Sequence, residues 1–571
     1  MVDRVNHDVL ILGAGLAGLR AAVEISRQLK GKVDIGIVSK VQLMRAHSVC
    51  AEGGTAAVLH TEEGDSRDLH AWDTVKGSDF LADQDVVHRF VNTIPDEILQ
   101  LDHWGIPWTR DEHGRIAQRA FGGHSYPRAT LAADKTGFFE MQTLYDTLQR
   151  YQCFKRYDEL FITDMLVEDG QFAGLLGIHA PSGETVHLCA KALLIATGGG
   201  GALYGFTTYS QSVTGDGMAM AYRAGLPLED MEFLQFHPTG LIPSGILMTE
   251  ACRGEGGYLR NAKGERFMER YAPKLLELAP RDMVSRAEMT EIIEGRGFSR
   301  SDGLDFLHLD LTHLGADKIN RRLPLIREVC IKFIDLDPIT KPIPIRPVAH
   351  YSMGGIECDI NGLTRVPNVW VAGEASCVSL HGANRLGSNS TAECLVWGGI
   401  AGSEIAKALV RPKALAQASD AKVKQASQHI ADVLAREGKE NLYQLRWELR
   451  STMDKNLGVF RTGADIQKGL TKIREIRDRC RRAPVPDKAK IYNSNLFHAL
   501  ELENLVDLAE VTAVGALARE ESRGGHARRD FATRDDVKFL KHTLAWRTDG
   551  APRLDHKPVT ITTWKPVERK Y

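Results

Sequence analysis

The stretch HDVLILGAGLAGLRAA, residues 7–22, decides how the rest of the chain is read. Residues 9–12 form an apolar run that reads as a buried strand, and Gly13, Gly15 and Gly18 then give the G-x-G-x-x-G spacing where a helix should begin. The first glycine permits the tight turn, the second lets backbone approach a pyrophosphate, and the third lets helix pack on strand. The helix N-terminus offers unpaired N–H groups to the phosphates. The spacing therefore predicts a dinucleotide site. A second strand over 33–38 ends in Ser39 and Lys40, so the acidic residue that would hold a ribose hydroxyl of NAD is missing and plain NAD binding is disfavoured.

At 571 residues the chain exceeds one compact core and is expected to hold several domains. Its 43% hydrophobic and 26% charged residues are those of an ordinary globular protein, and 72 basic against 74 acidic residues leave no global field to recruit nucleic acid or an anionic membrane. No segment has the apolar length of a membrane span, and the start of the chain leaves no room for a signal or transit peptide. Nine scattered cysteines without any C-x-x-C pair argue against a zinc site, an iron-sulfur cluster or a disulfide framework, and single buried thiols are expected.

The loop KVQLMRAHSVCAEGGTAAVL (40–59) carries Gly53 and Gly54 and suits a turn lying over a flat cofactor. Its His47 reads, on spacing alone, as an ordinary loop histidine. ALLIATGGGG (192–201) and VWVAGE (369–374) repeat the passage from apolar strand to glycine, which suggests one discontinuous sheet meeting a single cofactor more than once. TGDG (214–217) opens a helix with Asp216 in its first turn. Composition turns polar and glycine-rich over 232–350, as in an inserted cap. Beyond about 410 helix formers dominate, with Leu502, Leu505, Ala509 and Ala516 at helical spacing and Pro484 and Pro486 breaking the preceding helices. The tail returns to alternation in PVTITTW (558–564), which predicts a strand. The fold class is thus α/β: a Rossmann-like FAD-binding domain in two parts (1–232 and 351–410), an inserted α+β capping domain (233–350), a helical domain (411–532) and a small β-containing C-terminal domain (533–571).

The strings GAGLAGLRAA, MRAHSVCAEGG, WGIPWTR, FGG, ADKTGF, ATGGGG, TGDGMAMA, EFLQFHPTG, ILMTEACRGEGG, PRDMVSR, HYSMGGI, VAGEASCVSLHGANRLGSNS and REESRGGHARRDF occur in this order. With them the chain resembles, along nearly its whole length, the flavoprotein subunit of succinate dehydrogenase and fumarate reductase, the complex II family. The resemblance implies FAD, held covalently through His47. A saturated dicarboxylate needs a strongly oxidising flavin, and covalent attachment raises its potential. Matched cofactor positions are Gly13, Ala14, Gly15, Gly18, Ser39, Lys40, Ser48, Gly53, Gly54, Ala196, Thr197, Gly198, Asp216, Glu374 and Ser390, with Ser39 and Glu374 on the adenosine side.

For the substrate, the resemblance implies that His237, Thr249, His350 and Arg385 grip both ends of a C4 dicarboxylate, which suits donors with charge or fixed hydrogen bonds. It assigns the proton to Arg281, fed through Glu250 and Arg253. Taken alone, the residues favour Glu250 or His237, because free arginine is poorly matched to neutral acid-base work. A dry, cationic pocket would change that balance, and a purely electrostatic clamp is the other reading of Arg281. Cys252 reads either as inert packing or as a thiol activated by its cationic neighbours. Thr391 stands where the family's G-S-N-S string is usually followed by an apolar residue, which puts its backbone contact to the flavin edge in doubt.

An L-aspartate oxidase-like flavoenzyme shares this fold and the HGANRLGSNS region, and His47 discriminates against it. An electron-transfer flavoprotein without substrate chemistry would leave Arg281, Arg385 and both histidines unexplained. The implied partners are an iron-sulfur subunit and a membrane anchor of a complex II assembly, with the chain peripheral on the cytoplasmic face of the membrane; no nucleic acid is expected. Physiological direction is not written in the motifs.

Overall fold

The computed structural model describes residues 3–411 and 415–570. Residues 412–414, where the helical domain was expected to start, and the extreme termini lie outside the described residues. Strand β1 (Asp3–Leu12) leads into helix α1 (Leu16–Gln28) and strand β2 (Ile35–Val38). Farther on come helix α2 (Thr136–Gln149), strand β3 (Glu184–Ile195), strand β4 (Val369–Val371) and helix α3 (Asn389–Val410).

The three strand-to-glycine passages are neighbours in one parallel array. Leu12 of β1 is level with Val38 and with Ile195 of β3, and Ile195 is level with Val371 of β4. Four strands therefore end at one height. Their turns interlock: the Gly13 N–H donates to Val38 O at 2.8 Å, Ala196 N–H to Leu12 O at 2.7 Å, and Ala372 N–H to Ile195 O at 3.1 Å. Ligands of open α/β sheets bind at such carboxyl ends. Gly13 has φ 110°, and a Cβ there would sit 2.2 Å from Ala196 O, so only glycine fits. Gly18 is the close-packing glycine, since a Cβ on it would lie 2.0 Å from Gly13 O.

The central part folds around its own apolar core, running from Leu241 to Ile345. A four-stranded sheet there orders Leu234–Leu241, Ile343–Ser352, Leu307–Asp310 and Tyr258–Arg260, with the helix Arg281–Ile293 against it. The helices Asp420–Ala435, Leu442–Asn456, Gly463–Cys480 and Ser494–Ala518 form another cluster, in which Leu502, Leu505, Ala509 and Ala516 are buried as their spacing predicts.

Two expectations need correction. PVTITTW is not the tail's strand; the strand is Arg553–Pro558, paired with Lys541–Trp546. Residues 560–564 instead wrap one side chain: Gln84 Oε1 accepts the N–H groups of Thr562, Thr563 and Trp564, and Gln84 Nε2 donates to Trp564 O. Alternation there reflects a chain held along a groove, not a ladder. The thiols are buried or half-buried, apart from Cys50, which is exposed.

Candidate active site

A cavity of ≈ 660 Å³ runs from the ends of the parallel strands to the cap, within the range of small-molecule sites. Its near end is lined by Gly13, Ala14, Gly15, Ser39, Lys40, Asp216 and the 196–198 turn. Its far end is lined by His237, Thr249, Glu250, Arg281, His350 and Arg385, while His47, Ser48, Gly53, Gly54, Glu374 and Ser390 lie along its wall. Two residues matched from sequence stay off the wall. Gly18 packs beneath the first turn, and Arg253, fully buried, stands behind Glu250.

The wall carries polar atoms the protein leaves unpaired. His47 Nδ1, Thr197 Oγ1, Ser388 Oγ, His237 Nε2 and Arg385 Nε are buried without hydrogen-bond partners. Such groups are costly unless a ligand satisfies them, by about 1–3 kcal/mol each. Two of the helices that meet the cavity, α1 behind Gly15 and α3 behind Ser388, have no capping bond from the N-cap side chain, and although Ser48 Oγ accepts the Leu16 N–H at 3.3 Å, such helix starts suit an anion. These features fit a bound dinucleotide.

His47 stacks on Tyr209 with centroids 5.3 Å apart, and burial pushes its imidazole down to about 4, which keeps it neutral and nucleophilic. Glu374, expected with Ser39 on the adenosine side, lines the cavity as Ser39 does. Its Oε1 accepts the Tyr209 hydroxyl and, at 2.9 Å, the Ser352 N–H, which brings it near His47, and burial raises it to about 7. Lys40 Nζ is shared among Thr214 (2.8 Å), Asp216 (2.6 Å) and Glu501 (2.9 Å), so its charge is paired within the protein at the near end of the cavity.

At the far end four nitrogen bases converge. The His237 and His350 rings meet edge to face at 5.0 Å, and burial, with the nearby arginines, holds both far below the ordinary histidine range. His237 Nδ1 accepts the Thr239 N–H at 3.2 Å, so its proton sits on Nε2, the unpaired atom that faces the cavity. Arg385 lies over Tyr351 at 4.3 Å and donates to Ser390 Oγ at 3.1 Å. Arg281 donates through Nε to Glu250 Oε2 at 2.7 Å and through Nη1 to Gln235 Oε1 at 3.0 Å. Burial, only partly opposed by Glu250 and reinforced by Arg385 and Arg253, lowers Arg281 to about 10. Glu250 Oε1 accepts the Gly122 N–H, and Arg253 Nη2 stands 3.7 Å from Glu250 Oε2. Burial would raise Glu250, yet Arg281 and Arg253 hold it below the usual carboxylate range. Arg281, Glu250 and Arg253 thus form a line leading from the cavity into the cap.

The activated reading of Cys252 is overturned. The thiol is fully buried, and burial drives it well above its usual range against the pull of Arg119 and Arg253. Sequence reasoning missed Tyr209, Gln235, Gly122 and Tyr351 as supports of the site. Each acts through an approach distant in sequence; Gln235, Tyr351 and Gly122 lie in the recognised strings, and Tyr209 does not. Thr391, the departure from the family pattern, turns its hydroxyl away to Thr55 Oγ1 (2.9 Å) and Gly54 O (3.2 Å).

A family profile described as FAD binding domain matches residues 8–391, and one described as fumarate reductase flavoprotein C-term matches residues 446–571. The chain is 46% identical to the fumarate reductase flavoprotein subunit of Serratia sp., over 99% of this chain and 96% of the relative. It is 41% identical to the succinate dehydrogenase flavoprotein subunit of Rickettsia bellii, over 98% and 96%. Among solved structures, an E. coli quinol fumarate reductase chain superposes with a TM-score of 0.96 at 43% identity, over 100% of this chain and 99% of that one. A Mycobacterium smegmatis Sdh1 chain superposes with a TM-score of 0.87 at 34% identity, over 99% and 96%.

Proposed function

We propose, starting from the fact that this chain belongs to the family of fumarate reductase and succinate dehydrogenase flavoprotein subunits, that its cavity interconverts succinate and fumarate on FAD tethered through His47. The chain is a FAD-binding flavoprotein and an oxidoreductase. The observation that carries the reading is one cavity lined both by the Gly13–Gly15 turn and by His237, Thr249, Arg281, His350 and Arg385. Bound FAD supplies a ring that accepts or returns a hydride.

The chain's own residues supply the rest. Gly13, Ala14, Gly15, Ser39, Lys40, Ser48, Gly53, Gly54, Asp216 and the 196–198 turn hold the dinucleotide, and Glu374 and Ser390 support it from the cavity wall. Arg385, His350, His237 and Thr249 bind the two carboxylates, and their fixed donors orient the four-carbon chain. Arg281 then gives or takes the proton at the carbon next to the hydride centre. Crowding among cations makes neutral arginine accessible there. Glu250 and Arg253 pass that proton between Arg281 and the cap. Exclusion of water by the buried cap keeps these charges strong.

This reading keeps the domain division expected from sequence, with the region 233–350 as the cap over the cavity. Among the described residues no helix is long and apolar enough to cross a membrane. Electrons leaving the flavin need a further carrier, and the scattered cysteines of this chain are not spaced to hold an iron-sulfur cluster. Solved relatives include a quinol-fumarate reductase with menaquinol molecules and an Sdh1 complex with UQ1. An iron-sulfur subunit and a membrane anchor accordingly complete the assembly, holding this chain peripherally on the cytoplasmic face.

Acid precipitation tests the tether, and an assay with an artificial acceptor tests the reaction. Yellow colour should stay in the pellet, and succinate but not aspartate should reduce the acceptor. Flavin in the supernatant would remove the tether, and oxidation of aspartate alone would return the chain to the oxidase reading.

A further inference from the structure

Behind the cavity wall lies a short chain of hydroxyls that ends in a carboxyl group. Thr391 lines the cavity at the first turn of α3. Its Oγ1 is 2.9 Å from Thr55 Oγ1, which is 2.5 Å from Glu140 Oε1 on α2. All three residues are buried, Glu140 completely, and Glu140 Oε2 has no hydrogen-bond partner. Among the described residues no ion pair compensates this carboxyl. Of the titratable groups on the elements packed around it, Cys394 of α3 and His47 and Cys50 of the turn His47–Cys50 make no hydrogen bond to it. Arg20 and Glu24 of α1 and Glu97 of the helix Gln84–Trp104 bond among themselves. Burial accordingly raises Glu140 to about 8, with the Thr55 hydroxyl the one influence that lowers it.

Donor accounting gives the chain two states. Each hydroxyl has one proton to donate. With Glu140 ionised, Thr55 must donate to the carboxylate, and Thr391 then donates to Thr55. Gly54 O, on the cavity wall, loses the Thr391 proton. With Glu140 protonated, the carboxyl donates to Thr55, Thr55 to Thr391, and Thr391 to Gly54 O at 3.2 Å. One proton on Glu140 thus reverses two hydrogen bonds, makes or breaks a third at Gly54 O, and changes the polarity of the wall.

We propose that Glu140 is a proton store coupled to the flavin, taking a proton from solvent when the bound ring is reduced and releasing it on reoxidation, with Thr55 and Thr391 transmitting the change to the cavity wall. The balance closes: the ring gains two electrons and one proton from the substrate and so one negative charge, and the carboxylate, gaining a proton, loses one. In a low-dielectric interior each charge disfavours the other, which is the source of the coupling. The inference rests on flavin occupying the cavity and on neither the His47 tether nor the identity of the substrate.

Spectroelectrochemical titration of the flavin in the purified flavin-loaded protein tests it. The midpoint potential, followed upward from about pH 8, should fall with the slope of two protons per electron pair until the higher value of the reduced state is passed, and in Glu140→Gln with the slope of one. Thr391→Val, which cuts the chain but keeps the carboxyl, should shift the pH at which the slope changes. Equal slopes in the native protein and Glu140→Gln overturn the proposal, and an unmoved break in Thr391→Val overturns the transmission. Should Glu140→Gln fail to fold, the redox-difference infrared spectrum of the native protein decides: a protonated-carboxyl band, sensitive to D2O, must rise on reduction, and its absence overturns the store.

Discussion

Two regions of this molecule bury arginines and histidines at high density, and they treat them in opposite ways. At the C-terminal clasp Arg519 uses all its donors: Nε to Glu232, Nη1 to Glu521 and Phe539 O, Nη2 to Lys541 O and Thr543 Oγ1. His542 beside it bonds Asp230 at 2.6 Å and faces Asp83 and Glu229 at 3.3 Å. At the far end of the cavity Arg385 has an unpaired Nε and His237 an unpaired Nε2, and behind the wall Arg253 has an Nε without a hydrogen-bond partner. Burial would lower both groups, but the carboxylates around His542 override it and raise that imidazole to about 10, whereas Arg281, among cations, is lowered to about 10. The same residue types are structural where carboxylates complete them and ready for a dianion where the set is left short of negative charge.

The sharpest way to break this comparison is to remove the cation that the cavity uses for chemistry. Arg281→Ala should lower turnover by about 10³-fold or more, within the range of general acid-base groups and their electrostatic partners, while acid-precipitated protein keeps its flavin. Substantial residual succinate oxidation would reduce Arg281 to a clamp. The pH profile sharpens the same point. Succinate oxidation needs neutral Arg281, whose fraction grows tenfold per pH unit below its value of about 10, so the rate should climb with pH toward that value; fumarate reduction needs the cation and should fall above it. Rates for both directions across alkaline buffers check the sign.

In the clasp the corresponding deletion should unfold rather than silence. His542→Leu leaves Asp230, Glu229 and Asp83 without their central cation, and breaking a buried pair in this way costs about 3–5 kcal/mol. Denaturant midpoints should show it. The sign of the pH dependence follows from the raised value. His542 is held well above the usual 6.5, so its stabilisation is complete below that pH and is lost as pH rises toward about 10. The native protein should therefore weaken across that window, and His542→Leu should lose this part of the slope.

Part of this contrast was legible in the linear sequence and part was not. The strand-to-glycine passages are local, since an apolar run followed by glycines fixes strand, turn and helix start together, and they fall side by side at one level. His47 could be picked out only through the family resemblance, because its neutrality arises from burial by elements distant in sequence. Whether a buried arginine is saturated or short of partners depends on approaches such as Gly122 to Glu250 and Glu232 to Arg519, which no spacing encodes. The tail misled for a related reason: PVTITTW alternates, but its backbone partner is the Gln84 side chain.

Cys252 provides the smallest and most discriminating test. It lies between Glu250 and Arg253, and proximity to cations alone would make it a reactive thiolate. In the fold it is fully buried in the cap core, and burial outweighs Arg119 and Arg253. A thiol without solvent access has neither the thiolate nor the path that alkylation needs, so iodoacetamide on the native protein should leave Cys252 unmodified and label the exposed Cys50. Cys252→Ala should cost about 1 kcal/mol of stability, the scale of a small core truncation, with kcat unchanged. Alkylation of Cys252 in folded protein, blocked by a dicarboxylate, would show that the cations of the cavity extend their influence past Arg253, and that unpaired charge there activates neighbours as well as substrate.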